Sequence, residues 1–284
     1  MRQDRRRLLA ALCAAGMVSP FVAYAGPPRR VVSVGGAVTE IVYALGAGDC
    51  LVGADSTSLF PEAAQKLPRV GYMRQLSAEG VLSLRPELVV ATSEAGPPAV
   101  LTQIESAGVP IKRLPVRHSL ESLRDNVREI ASVLGMPEAG SRLLADLEAH
   151  WSRTSRRVAS FPGRPRALFI LAHGGGAPMV SGAGTAADAM IGYAGAVNAV
   201  QSLEGYKPLT AEAATASAPD VILITIQGLD ETGGIDKLLA RPGLSLTPAG
   251  RSRRVVAMDA LYLLGFGPRL PEAVADLSER LRKS

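Results

Sequence analysis

The sequence predicts an α/β protein: two α/β lobes, each with a mostly parallel central sheet covered by helices, joined by one long interdomain helix. Three observations predict it. Buried-strand patterns alternate with helical patterns along the chain. The stretch 76–92 returns at 209–225 without a gap, pairing Leu76 with Leu209, Ser77 with Thr210, Ala78 with Ala211, Glu79 with Glu212, Pro86 with Pro219 and Glu87 with Asp220. Between the copies, residues 137–160 run free of proline after the first position, with Leu143, Leu144, Leu147 and Trp151 on one helical face.

Taken in order, residues 30–34 read as a buried strand ending in Gly35-Gly36, and a helix opens at Thr39-Glu40 with Ile41, Val42 and Leu45 at helical spacing. Leu51-Val52-Gly53-Ala54 is the next strand, and a polar loop follows it. Ser77 then reads as a helix N-cap with Glu79 in the first turn, and Pro86 stops that helix. Residues 88–91 form a further buried strand. The second half repeats the plan: a strand over 166–172 ending in Gly174-Gly175-Gly176, a helix from Thr185, the Thr210-capped helix, and a strand over 219–225. A 24-residue connecting helix reaches about 36 Å at about 1.5 Å per residue, enough to join lobes lying side by side. Such a connector resists wide hinge motion and predicts modest closure on a ligand. The expected division is residues 26–136 for the first lobe, 137–161 for the linking helix and 162–284 for the second lobe.

The chain begins with the marks of secretion. Arg5, Arg6 and Arg7 precede an apolar run from Leu8 to Val18, too short to span a bilayer, and Ala23-Tyr24-Ala25 supplies small residues at a cleavage site. Residues 1–25 therefore read as a signal peptide, with the periplasm as destination. Its removal leaves 259 of 284 residues and takes four Arg and one Asp from a net charge of +5, leaving +2. Aromatic residues make up 4% and no basic block persists past the leader, so the composition excludes a nucleic-acid binder. Cys50 is the only cysteine beyond the leader, which rules out an intramolecular disulfide. No second long apolar stretch exists, so the mature chain is expected to be a soluble monomer.

A ligand is expected between the lobes, where loops leave the carboxyl ends of the strands. Three features there carry chemistry. In Gly71-Tyr72-Met73-Arg74, Tyr72 is a potential phenolate and Arg74 a fixed cation two residues on, which favours the ionised form; phenolate is one of the axial ligands of haem iron. On residue types alone the plainer alternative, a tyrosine packed on its own lobe beside a solvated arginine, stays open. His173, before three glycines, holds the matching position in the second lobe and suits a metal or a structural hydrogen bond. No Lys-Ser or Lys-Thr follows those glycines, so they are not a P-loop. Glu79 and Glu212 place one acid at the same point of each lobe, suited to two equivalent basic sites on a dimeric partner or simply to stabilising two helix starts. His118 and His150 read as surface residues in helix-like surroundings. Three histidines in all and no nucleophile–base signature leave neither a multi-histidine zinc site nor an enzyme as the expectation.

The segment Gly71-Tyr72-Met73-Arg74-Gln75-Leu76-Ser77-Ala78-Glu79 resembles the haem-binding periplasmic proteins of bacterial haem ABC importers, as do Gly205-Tyr206-Lys207-Pro208-Leu209-Thr210-Ala211-Glu212 and Gly265-Phe266-Gly267-Pro268-Arg269. The likeness runs from about residue 30 to the end, and much of it is shared with vitamin B12 and siderophore binders. The resemblance implies ferric haem as the transported ligand, held between the lobes with Tyr72 on the iron, Arg74 supporting its phenolate and His173 as a second-lobe ligand. Tyr206, one position from the repeat-equivalent of Tyr72, is a reserve. Glu79 and Glu212 become the carboxylates that dock on a dimeric inner-membrane ABC permease. Met73, Met179 and Leu264 are candidate porphyrin walls, and Lys207 a cation for propionates. The same fold carrying a corrinoid or a ferric siderophore is the competing implication.

Overall fold

The computed structural model describes residues 26–172 and 178–283; the expected leader, residues 1–25, lies outside them. In the first lobe β1 (Val31–Val34), β2 (Leu51–Ala54), a small hairpin of β3 (Gly71–Tyr72) and β4 (Gln75–Leu76), β5 (Leu88–Thr92) and β6 (Ile111–Leu114) appear in that order. The main sheet runs β2-β1-β5-β6 and is parallel throughout. In the second lobe come β7 (Arg166–Leu171), β8 (Met179–Ser181), β9 (Val197–Asn198), β10 (Tyr206–Pro208), β11 (Val221–Thr225) and β12 (Val255–Met258). They order as β10-β8-β7-β11-β12, with β9 also on β7; β8 and β10 are antiparallel, the rest parallel. Strands β1, β5 and β11 are buried along their whole length, as continuous apolar runs covered on both faces must be.

The first helix starts at Gly36, three residues before the Thr39-Glu40 the pattern suggested, and runs to Ala44. Gly35 at φ +107 lets the chain turn from strand to helix at once, a conformation closed to most side chains. Residues 71–76, read as loop from sequence, form the hairpin of β3 and β4, with Met73 and Arg74 as its two-residue turn.

The repeat extends into backbone detail. Ser77 and Thr210 both cap their helices, accepting from Gly80 N at 3.0 Å and Ala213 N at 3.1 Å. Arg85 and Ala218, equivalent in the sequence repeat, are both left-handed, at φ 47 and φ 39, ending those helices before Pro86 and Pro219. The paired acids do the same work: Glu87 accepts from Arg29 N at 2.7 Å and Asp220 from Arg166 N at 2.8 Å. The side chains of Arg30 and Arg166 likewise donate to carbonyls at the ends of the paired helices, Leu84 O at 2.6 Å and Ser217 O at 2.9 Å.

The connecting helix is Pro137–Ser160, 24 residues. Proline and Glu138 in its first turn and Arg157 in its last suit the polarity of a helix. Its predicted face holds: Leu147 is buried, and Leu143, Leu144 and Trp151 pack on a single apolar layer that continues from Val31 and Leu123 in the first lobe to Phe169 and Leu277 in the second. Trp151 meets Tyr193 edge-on at 5.0 Å, and the Tyr193 hydroxyl accepts from Leu120 N at 3.1 Å. Among the described residues no helix is long and apolar enough to cross a membrane.

Candidate functional site

The loops leaving the carboxyl ends of the parallel strands meet between the lobes. Asp55, just past β2 and fully buried, folds one of them: its carboxylate accepts from Gly35 N (2.8 Å), Thr57 N (2.9 Å), Thr57 Oγ1 (2.7 Å) and Ser58 Oγ (2.9 Å). That loop presents Leu59 and Phe60. Val116 follows β6 and Ile226 follows β11. These four are 40–46% exposed, an uncommon state for large apolar groups; Leu59, Phe60 and Val116 stand in loops after their strands, and Ile226 opens the helix Ile226–Thr232 directly after β11. The arrangement suits a ligand with extended apolar surface.

The residues the sequence singled out on the first lobe come together. Arg74, on the hairpin turn, donates Nη1–H to the Tyr72 hydroxyl at 3.0 Å. Its other terminal nitrogen is paired with Glu94, two residues past β5, which the sequence reading missed. Burial works against the Arg74 charge, but Glu94 and the Tyr72 hydroxyl together hold the guanidinium above its ordinary value. Two backbone bonds fix the hairpin to the Glu94 loop, Leu76 N to Gly96 O and Gly96 N to Met73 O, both 2.9 Å.

Tyr206 is drawn to the same place from the second lobe. It is half-buried on β10 opposite Ser181, and its phenol is pushed up by burial, against a hydrogen bond with Ser181, with Glu94 adding to the rise and Arg74 opposing it. Lys207 beside it is exposed. Met73, Met179 and Leu264 are all half-buried. His118 corrects the sequence reading: it stands before the helix Leu120–Val133, half-buried, with its ring 5.4 Å from that of Phe266. Burial lowers its pKa, partly offset by Glu94. His150 is exposed on the linking helix and bonded to Glu272 at 2.8 Å, a surface position as read. His173 lies outside the described residues.

The Gly265-Phe266-Gly267-Pro268-Arg269 motif closes the other side of the cleft. Arg269 crosses to the first lobe and grips Glu40 with two bonds, 2.6 and 2.9 Å, while lying 3.7 Å over the Phe60 ring. A Cβ on Gly267 would sit 3.1 Å from the Glu40 carboxylate, a tight contact that glycine relieves. Burial raises the Glu40 pKa, with the Arg269 bonds and charge pulling it back and Asp259 adding to the rise. A cavity of about 420 Å³ opens beside this pair, lined by Leu59, Phe60, Asp259, Leu261, Tyr262 and Arg269; Tyr72 and Arg74 are not part of it.

Glu79 and Glu212 are each exposed in the first turn of a Ser- or Thr-capped helix, one per lobe. Among the described residues no group of three or more His, Cys, Asp or Glu gathers around a common point.

Comparison with known proteins agrees with this geometry. Residues 31–262 match the family model described as periplasmic binding protein. Two solved structures cover 89% of this chain and 97% of their own: the periplasmic heme-binding protein BhuT in complex with two hemes, at 50% identity and TM-score 0.86, and the periplasmic heme-binding protein RhuT from Roseiflexus sp. RS-1 in apo form, at 43% identity and TM-score 0.87. The vitamin B12-binding protein of Vibrio vulnificus is 30% identical over 138 residues, 49% of this chain and 50% of its own, so the chain spans about half the length of that relative.

Proposed function

Since this chain belongs to the periplasmic binding protein family, we propose that it captures ferric haem between its lobes and delivers it to a haem ABC permease. The observation that carries the reading is the Tyr72–Arg74 pair on the β3–β4 hairpin, with Arg74 also paired to Glu94 in the loop after β5. The Tyr72 oxygen accepts from a guanidinium, leaving its own proton to be lost when iron binds. Ferric iron is a hard cation and a phenolate oxygen a fitting donor. Arg74 stabilises the negative oxygen while iron is held and is available to carboxylates at other times. Leu59, Phe60, Val116 and Ile226, with Met73, Met179 and Leu264, supply surface for the porphyrin faces, and Lys207 supplies a cation for propionates. His173 is proposed as a second-lobe ligand on the strength of the sequence resemblance, with Tyr206 as the alternative donor there.

In this reading the lobes are residues 26–136 and 162–284 about the helix 137–161, and the chain works as a monomeric carrier in the periplasm, reached through a cleaved leader of residues 1–25. It turns nothing over. Glu79 and Glu212, equivalent on the two lobes, dock on equivalent basic sites of a dimeric permease. The match to vitamin B12-binding proteins supports a second reading, the same cleft holding a corrinoid; a ferric siderophore stands beside it as a third cargo of this fold. Titration with hemin separates them. Wild type gains a Soret band with a ferric-phenolate spectrum, Tyr72→Phe changes that spectrum, and His173→Ala is followed for stoichiometry. A Tyr72→Phe protein whose hemin spectrum matches wild type refutes the ligand assignment; no Soret shift in wild type, with cobalamin bound instead, refutes the cargo.

A further inference from the structure

Arg74 is a long, half-exposed side chain on a two-residue turn, and one hydrogen bond to a phenol would not fix it. Exposed pairs of this kind gain little because each must immobilise flexible side chains. What distinguishes Arg74 is that both ends of its fork are occupied: Nη1 by the Tyr72 hydroxyl at 3.0 Å, Nη2 by the Glu94 carboxylate. A planar guanidinium held at two points has its plane and its distance to the phenol set together. Glu94 is itself anchored. It follows buried Thr92, whose hydroxyl accepts from Glu94 N at 3.4 Å, and its loop is stitched to the hairpin by the two bonds between Leu76, Met73 and Gly96. The carboxylate and the arginine turn thus move as one piece.

We propose that Glu94 is the positioning residue of the cleft, acting through Arg74 to hold the cation on the Tyr72 oxygen. The proposal rests on the reading of Tyr72 as the iron ligand. It also has a charge consequence. A ferric porphyrin core carries one net positive charge, which one phenolate cancels; Arg74 and Glu94 cancel each other, so ligation leaves the iron and its immediate ligand group without net charge.

The test uses the whole chain and hemin as the probe. Ferric absorbance spectra, and rates of hemin loss to excess apomyoglobin, are compared for wild type, Arg74→Ala, Glu94→Ala, Glu94→Gln and the double variant Arg74→Ala/Glu94→Ala. Circular dichroism checks that each is folded. Glu94→Gln, whose amide oxygen still accepts from Arg74, keeps the wild-type spectrum. Glu94→Ala takes on the Arg74→Ala spectrum and loses hemin about tenfold faster than wild type, the value of one hydrogen bond to a charged group. The double variant is no worse than Arg74→Ala, since residues acting as a unit are not additive. Glu94→Ala with a wild-type spectrum and rate, or a Glu94 effect that adds in full to that of Arg74, overturns the proposal while leaving the Tyr72 ligand intact. A Tyr72→Phe spectrum identical to wild type overturns both together.

Discussion

The bond between Glu40 and Arg269 allows a quantitative test of how the lobes are held. Glu40 has a side chain 4% exposed and Arg269 one 28% exposed, with two bonds of 2.6 and 2.9 Å between them. Arg269→Ala leaves a carboxylate buried without its counter-ion, a change that costs about 3–5 kcal/mol in a closed interior. Partial exposure of the arginine brings this toward the lower end, about 3 kcal/mol near pH 7.5. Loss of the stacking over Phe60, at 3.7 Å, contributes about 1 kcal/mol of that figure and is independent of pH. The remainder depends on pH in a defined direction. Burial already raises the Glu40 pKa in the folded state, and Arg269 pulls it down. An acid whose folded pKa is raised loses stability as pH climbs from its unfolded value to its folded one, because the unfolded chain ionises first. Without Arg269 the folded pKa moves higher, so this loss grows and extends upward in pH. The deficit of Arg269→Ala against wild type is therefore largest near neutrality and shrinks at pH 5. At roughly 2–4 °C per kcal/mol for a chain of this size, Tm falls by roughly 6–12 °C at pH 7.5. Thermal unfolding followed by circular dichroism, with the single tryptophan, Trp151, as an independent probe beside Tyr193, measures it. Adding Glu40→Gln removes the pH dependence and leaves the stacking loss. A deficit equal at pH 5 and pH 7.5, or smaller than the stacking loss alone, refutes the assignment of Glu40 as a buried charge held by Arg269.

Two further outcomes follow from local geometry. Gly71 has φ +106 and its missing Cβ would stand 2.7 Å from Gln75 O, so Gly71→Ala distorts the hairpin that carries Tyr72 and Arg74; hemin titration is expected to show weaker binding and an altered spectrum with far-ultraviolet circular dichroism unchanged. Replacing Glu79 and Glu212 together by Ala leaves the hemin spectrum and affinity as they are, because neither carboxylate lies in the cleft, and abolishes stimulation of the permease ATPase in reconstituted vesicles. Each single variant gives an intermediate effect, and full stimulation by the double variant would exclude these acids as docking points.

Most of the scaffold was legible because it is written locally. Strand and helix periods, the caps at Ser77 and Thr210, and the stops at Pro86 and Pro219 lie within a few residues of what they control. The connecting helix was legible to its last turn for the same reason, since its apolar face repeats with helical spacing. The start of the first helix was missed by three residues, because Gly35-Gly36 read as the end of the strand, when Gly35 is the turn and Gly36 the first helical residue. The cleft was less legible. Arg269 meets Glu40 across 229 positions, and nothing near either residue marks the other. His118 gained burial from Phe266 of the second lobe, a contact that local polarity hides.

Glu94 was discoverable from the repeat. The offset that pairs Leu76 with Leu209 places Gln227 opposite Glu94, Lys207 opposite Arg74 and Gly205 opposite Tyr72. Where the two copies agree, at Ser77 and Thr210, Arg85 and Ala218, Glu87 and Asp220, the residues build the lobe. Where they diverge, at the carboxyl ends of the strands, each lobe presents a different chemistry to the space between: Glu94 holds Arg74, while Gln227 bonds Asp259 and Ala260 N on its own lobe. A scaffold needs the same solution twice, but a ligand lying between two lobes meets each from a different side and needs no such symmetry. Glu79 and Glu212 break this rule in an informative way, since they match yet are exposed. The caps at Ser77 and Thr210 already start their helices, so an additional acid there contributes only about 0.3–1 kcal/mol. Docking of both acids on a two-fold partner, as proposed above, would account for the same acid standing on both lobes.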